Sequence, residues 1–384
     1  MCLLDCSVYL HWPYCSQLCS YCNFNKYVSP EVDEARMVCC LQREWESLSQ
    51  HYNIEAPVTI FFGGGTPSLL DVRHVERLIK TISASGEAQE VSLEANPGDV
   101  LGKASSLEAA GVTRLSIGVQ ALDEADLRAL NRNHGPRQAV QAIQESLAIF
   151  PDRTSADLIF GRPGQTVEAF QGELERLVEL GLPHVSLYQL TLERGTALYR
   201  DVRRGAVSLP GEDEVADMYH LAVDLLSSRG VRRYEVSNFA VAGCECVHNV
   251  GYWTGRQYLG LGPGAHSRVC LGGQRKALVN IPHPARWMAE VEKGGHGVRL
   301  ERDIDMREAL KELLATGLRT RDGVSASDWT RVCDGQLRLE SLFNLVNDKN
   351  LGLETSGGSM RLREDKISVL DSILPYVFNC VDEI

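Results

Sequence analysis

Three cysteines, Cys15, Cys19 and Cys22, stand in a Cys-x3-Cys-x2-Cys run. Thiolates this close together suit an iron–sulfur cluster, or zinc if a fourth ligand completes the tetrahedron. Three ligands to a four-iron cluster leave one iron open to another molecule. His11 lies four residues upstream but ends a predicted strand, and three unrelated thiols are the plain alternative. Further on, Gly63-Gly64-Gly65-Thr66-Pro67 is a run whose backbone can approach a ligand closely. It lacks the Lys and Ser/Thr of a phosphate loop and the spacing of a dinucleotide site, and a simple turn would look the same. A third cluster, His248-Asn249-Val250-Gly251-Tyr252-Trp253, combines an imidazole that can ligate iron with two flat rings.

The elements that must position these groups alternate. Predicted strands at Ser7–His11, Val58–Phe62, Val91–Glu94, Arg114–Gly118, Ala156–Phe160 and Val185–Leu190 are separated by helical patterns, the first from Pro30 to Leu48. Six βα units in series imply parallel strands with right-handed crossovers, in an open sheet or a partial barrel, with ligands at the C-terminal strand ends. The cysteines follow the first strand and the glycine run the second. Glu94 ends the third, Gln120 follows the fourth and Asp157 lies on the fifth, with Arg132 in the segment after the fourth. Polar strand ends are unremarkable singly; several at one rim are harder to dismiss.

The alternation stops near residue 205. A helix at Glu212–Ser228, a strand at Tyr234–Phe239 and a glycine-rich stretch at 255–273 follow. From about Leu300 the pattern reads helix, helix, hairpin around Gly357-Gly358, helix, as in a small winged-helix-like domain. The expected division is residues 1–205 as a partial (β/α)6 barrel of the α/β class, 206–299 as a connecting region with the histidine motif, and 300–384 as the C-terminal domain.

The 384 residues carry 39 Lys and Arg against 51 Asp and Glu, a net charge of −12. Nucleic-acid binding rests on surplus cations, so RNA modification is disfavoured, and the pairs Arg203-Arg204 and Arg232-Arg233 are too small to reverse this. No stretch approaches a membrane span. Neither a signal peptide nor a transit peptide is recognisable at the start, so the cysteines are expected as thiols or metal ligands in a reducing compartment.

The cysteine triad resembles the signature of the radical SAM superfamily. The run Tyr9-Leu10-His11-Trp12-Pro13-Tyr14-Cys15, through Cys19, Tyr21 and Cys22, is similar to the cluster loop of the oxygen-independent coproporphyrinogen III oxidase relatives. The resemblance implies a radical SAM barrel with a 4Fe-4S cluster on Cys15, Cys19 and Cys22. S-adenosylmethionine would chelate the fourth iron, and an electron would cleave its sulfonium bond to a deoxyadenosyl radical. Tyr9, Gly64, Gly65, Thr66, Glu94, Gln120, Arg132 and Asp157 match the positions of the cofactor pocket. Arg162, before Pro163, departs from the aliphatic residue usual there; it is tolerated on the loop surface or alters the pocket.

Within this family an oxidase and a heme chaperone branch compete. The oxidases carry another Cys two residues after the triad, where this chain has Phe24, and an upstream arm where this chain has six residues before its first strand. The run 248–253 resembles the heme-binding His-Asn-x-x-Tyr-Trp motif of the chaperones, implying heme contacts at His248, Asn249, Tyr252 and Trp253. A buried structural histidine beside core aromatics is the competing reading. His266, in Gly260-Leu261-Gly262-Pro263-Gly264-Ala265-His266, is a second heme or proton ligand or a surface-loop residue. Cys244 and Cys246 offer a minor zinc or heme-thiolate alternative, while Cys2, Cys6, Cys39, Cys40, Cys270, Cys333 and Cys380 read as ordinary thiols. The expectation is a heme chaperone serving acceptor hemoproteins such as respiratory cytochromes, without coproporphyrinogen oxidase activity and with no catalytic residue assigned. Whether S-adenosylmethionine is cleaved stays open. The resemblance points to mitochondria, with the cytoplasm as alternative, and leaves open a homodimer and a peripheral membrane contact.

Overall fold

The computed structural model describes residues 6–384; Cys2 lies outside them. Strands β1 (Cys6–Trp12), β2 (Pro57–Gly64), β3 (Glu90–Ala95), β4 (Arg114–Gln120), β5 (Thr154–Phe160) and β6 (His184–Gln189) lie side by side in chain order, all parallel. Their apolar residues are buried on both faces, as crossover helices require. One core packs Leu10, Ile60 and Leu93 with Met37, Leu41, Leu78 and Ile82 of the helices Glu34–Tyr52 and Val72–Ile82. A second packs Ile117, Leu158 and Val185 with Ile143, Phe170 and Met218. The first helix begins at Glu34 rather than Pro30, because the Asp33 side chain accepts the Arg36 amide and caps it there.

The sheet continues past both ends of this series. Beyond β6 lie β7 (Arg232–Glu235) and β8 (Asn238–Ala240), paired with each other and, through β8, with β6, all antiparallel. The single strand expected at 234–239 is therefore two. It breaks where the Glu235 carboxylate accepts both the Ser237 amide and the Asn238 side chain. On the far side, β9 (Gln257–Leu261) pairs parallel to β1, followed by antiparallel β10 (His266–Leu271), β11 (Gln274–Asn280) and β12 (Val298–Ile304). The glycine-rich stretch thus contains strands. A Cβ on Gly260 would come 2.2 Å from the His266 carbonyl oxygen, so the close β9–β10 approach demands glycine. Residues 232–304 supply both edges of one twelve-stranded sheet.

The C-terminal unit runs helix (Met306–Gly317), short strand β13 (Val324–Ser325), helix (Ala326–Cys333), helix (Leu339–Asp348), hairpin β14 (Leu353–Ser356) and β15 (Ser359–Leu362), and helix (Leu370–Glu383). The hairpin turn is Gly357-Gly358, with φ of 58° and 81°, the positive pair of a type I′ turn. Helix Ala326–Cys333 was not expected. It buries Trp329, whose indole donates to the Leu337 carbonyl.

Candidate functional site

The cysteines sit where β1 runs out, on a loop tied down at several points. Cys15 N–H donates to the Tyr27 carbonyl and Tyr27 N–H to Pro13, closing the loop at its base. Ser20 donates its amide to Leu130 and its hydroxyl to Ala129, while Asn131 donates to Leu18. The glycine run is the seat of this loop. Gly65 N–H donates to Trp12 (2.7 Å) and Thr66 N–H to Tyr14 (2.9 Å). A Cβ on Gly65 would lie 2.7 Å from the Tyr14 carbonyl, and one on Gly64 2.7 Å from the His11 ring. The second glycine run acts from the other side: a Cβ on Gly262 would lie 2.5 Å from the His11 carbonyl oxygen. It is held there by the buried Glu44 carboxylate, which accepts the amides of Gly262 and Gly297.

A cavity of about 630 Å³ opens over the C-terminal strand ends, lined by all three cysteines together with Gly64, Gly65, Thr66, Glu94, Gln120, Arg132 and Asp157. Arg132 is no solvated helix-end cation. Its guanidinium lies 3.3 Å from Cys19 Sγ and donates to Asn96 Oδ1 (2.6 Å) and the Gly118 carbonyl (2.8 Å). Gln120 is aimed inward by a register shift between β4 and β5 and by its own left-handed backbone, φ 66°. Its Oε1, and Nε of Arg132, are buried with no hydrogen-bond partner among the described residues.

Glu94 is pushed up to about 8 by burial and by the Asp157 charge; Asp157 is pushed up to about 6, mainly by burial. Burial also raises the Cys15 thiol, and Cys19 and Cys22 add to the shift. A cation at the rim would reverse all three tendencies. Among the described residues no three His, Cys, Asp or Glu side chains converge as ligands of one metal ion would. A four-iron cluster takes each thiolate on a different iron, so such convergence is not required of the triad. The residues fit the implied groups: thiols for cluster iron, two carboxylates for a cationic ligand, and an unsatisfied amide oxygen and guanidinium for its polar atoms.

The histidine motif lies elsewhere, in the short helix Val247–Trp253. His248 does not present an open nitrogen: its ring is 1% exposed, with Nδ1 hydrogen-bonded to Thr59 Oγ1 (2.7 Å) and Nε2 to the Tyr252 hydroxyl (2.9 Å). Burial pushes it down to about 3, so it is neutral. Tyr252 is gripped edge-on between His248 and Tyr258, and Trp253 packs edge-on against Tyr234. The half-buried Asn249 and Trp253 line neither the cysteine cavity nor a second cavity, of about 590 Å³, where Tyr9 and Tyr252 meet. The expected open heme face at 248–253 is thus a packed cluster, because every ring has found a partner within the protein. Tyr9 also differs from expectation. It hydrogen-bonds His11 and faces the second cavity rather than lining the first.

Several positioning residues were not evident from the sequence. The buried Arg114–Glu90 pair (2.9 Å) anchors the histidine motif. Arg114 donates to the carbonyls of Cys244 and Glu245, and Glu90 accepts the His248 amide. Cys246 donates toward Glu90, and burial, with the Glu90 charge, pushes its thiol up to about 12. Arg162 is neither on the loop surface nor in the pocket. It is buried, paired with Asp126 and Glu173, and donates to the Gln120 carbonyl, holding the strained residue from behind. Cys270 is disulfide-bonded, against the expectation of an ordinary thiol.

A parallel strand series with a thiol triad on the first loop and a cofactor-sized cavity over the strand ends defines a radical SAM protein, and residues 9–177 match the Radical SAM superfamily model. The chain is 39% identical to radical S-adenosyl methionine domain-containing protein 1, mitochondrial, of Danio rerio, over 97% of this chain and 87% of that one. It is 34% identical to the heme chaperone HemW of Lactococcus lactis, over 90% of each. In structure it is similar to the radical SAM coproporphyrinogen III oxidase HemN of Escherichia coli, with a TM-score of 0.78 at 21% identity, covering 98% of this chain and 90% of that one. The chain belongs to the radical SAM family that contains HemW and the mitochondrial radical S-adenosyl methionine domain-containing protein 1. No helix among the described residues is long and apolar enough to cross a membrane.

Proposed function

We propose that the protein is a heme chaperone. It holds a 4Fe-4S cluster on Cys15, Cys19 and Cys22, takes S-adenosylmethionine in the strand-end cavity, and passes heme to acceptor hemoproteins such as respiratory cytochromes. The observation that carries the cofactor reading is the convergence of the triad with an unpartnered Gln120 Oε1 and Arg132 Nε in one cavity. Such buried open valencies call for a ligand. When bound, the cluster and S-adenosylmethionine supply one-electron chemistry. The chain's own groups orient the ligand: Glu94 and Asp157 face its cationic atoms, Gln120 and Arg132 its polar ones, and the glycine run lets its backbone approach. Tyr9 helps from behind, by fixing the His11 ring against Gly64. The heme part rests on the names of the relatives and on the run 248–253. Mitochondrial placement rests on the names of the animal relatives. A peripheral membrane contact and a homodimer are secondary parts of the same proposal.

Titration of the pure full chain with heme tests the reading: a saturable Soret band is expected, and no binding at micromolar heme would overturn it. The fold likeness to HemN favours one rival, coproporphyrinogen decarboxylation. Incubation of the anaerobically reconstituted protein with coproporphyrinogen III and a reductant is expected to leave the propionates intact. A divinyl product would establish the rival.

A further inference from the structure

Two cations beside the cysteine triad have no counter-charge. The buried arginines Arg114, Arg162 and Arg233 each face a carboxylate. Arg132 and Lys26 line the cysteine cavity and make no ion pair with a carboxylate among the described residues. In a chain with 51 Asp and Glu against 39 Lys and Arg, acids to pair with are plentiful. Two positive charges left open next to three thiols therefore need a reason.

Each cysteine has its own polar neighbour. One terminal nitrogen of Arg132 lies 3.3 Å from Cys19 Sγ. The other is fixed by Asn96 Oδ1 and the Gly118 carbonyl, so the guanidinium cannot swing away without breaking two hydrogen bonds. Tyr21 packs among Leu127, Leu130 and Leu198 and sets its hydroxyl beside Cys19 and Arg132. Lys26 donates its ammonium to the Cys22 carbonyl. The Thr66 hydroxyl, facing Cys15, works against the burial that raises that thiol. Hydrogen bonds to the sulfurs, net charge and solvent exposure set the potential of an iron–sulfur centre. A reducing electron adds negative charge, so a fixed cation or a charged donor at a sulfur stabilises the reduced form more than the oxidised one. Arg132 is well placed for this, because its Nε is buried and solvent screens the charge little.

We infer that Arg132 and Lys26 set the reduction potential of the bound cluster, Arg132 by a charged hydrogen bond to the Cys19 sulfur and Lys26 by its charge alone, with Tyr21 as the residue that positions Arg132. Both cations raise the potential, which lets a milder one-electron donor reduce the cluster. The inference rests on the cluster reading above and deepens it, by giving Arg132 a second task beside orienting the ligand.

The test is a potentiometric titration of the anaerobically reconstituted full chain without S-adenosylmethionine, followed by the electron paramagnetic resonance signal of the reduced cluster. Arg132→Gln is expected to shift the reduction equilibrium about tenfold toward the oxidised form, about 59 mV for one electron, as loss of one charged hydrogen bond implies. Arg132→Lys keeps the charge and should recover part of that shift. Lys26→Met and Tyr21→Phe should move the potential the same way by less, since one donates to a carbonyl and the other loses only a neutral hydroxyl. The four-iron absorbance of each variant reports that the site is assembled; where Arg132→Gln holds no cluster, Arg132→Lys and Lys26→Met carry the test. An unchanged potential in Arg132→Gln or in Lys26→Met, or an Arg132→Lys shift as large as that of Arg132→Gln, would overturn the inference and leave the cluster assignment standing. A wild-type chain that assembles no four-iron cluster would remove both.

Discussion

The cysteine cavity and the His248 cluster are both rich in groups that could bind a cofactor, and they are built on opposite terms. At the cavity, polar atoms are left open: Gln120 Oε1 and Arg132 Nε have no partner, and two carboxylates are held above their ordinary range by burial. At the cluster everything is closed, with His248 satisfied on both nitrogens and Tyr252 and Trp253 packed edge-on. The difference separates a cavity with open valencies from a cluster whose groups are satisfied within the protein. Residues 248–253 reach the second cavity through Tyr252 while their histidine stays buried.

Substitutions should expose this contrast. Cys15→Ala should abolish the absorbance of the reconstituted iron–sulfur protein, yet change the stability of the metal-free chain by only about 0.5–1 kcal/mol in urea unfolding, since the thiol is half-buried and serves no core. A retained four-iron spectrum would break the assignment. Arg114→Ala should do the reverse. It leaves the buried Glu90 with Arg153, 3.7 Å away, as its remaining counter-charge and should cost about 3 kcal/mol, with the cysteine loop's capacity for iron intact wherever the chain is folded. His248→Ala should cost about 2–3 kcal/mol for the stranded Tyr252 hydroxyl and the space left by the buried ring, measured by the same unfolding experiment; Thr59 keeps its bond to Ser7. A cost near zero would mean that the ring is not structural.

The smallest effect concerns protons. Glu94 titrates near 8 against an ordinary 4.5, so the folded chain holds a proton there that the unfolded chain has lost between these values. Its contribution to the metal-free chain's stability is full below pH 4.5 and is lost as pH rises through about 8. A cationic ligand in the cavity favours the ionised form. Binding of S-adenosylmethionine near pH 7 should therefore release a fraction of a proton, seen by calorimetry in buffers of different ionisation heat. Glu94→Gln should remove that release, and an unchanged value in the variant would place the proton elsewhere.

Much of this was legible in the residues. The six parallel strands appear as β-branched runs of the right length; Cys15, Cys19, Cys22, Glu94 and Gln120 fall on the rim because they end or follow those strands, and Asp157 joins them from within the fifth. The sheet edges were hidden for a physical reason. The close approach of β10 requires Gly260 in β9, where it interrupts the apolar run by which strands are recognised, and β7 and β8 are too short to show a period. Burial was likewise invisible. The ion pairs of Arg162 and Arg114 are unreadable because their acidic partners are distant in sequence, Asp126 and Glu173 for one and Glu90 for the other. The motif put His248 beside two aromatics and left its helix unread, and saturation of its nitrogens depends on Thr59, on the second strand.

The account turns on the protein being a carrier of heme. The most direct measurement loads the full chain with one equivalent of heme, mixes it with an apocytochrome, and follows the Soret band of each. The account predicts that the chaperone's band decays as the holocytochrome's band grows, with no free-heme intermediate. Heme that stays on the chain, or that reaches the acceptor only at the rate of free heme, would contradict it.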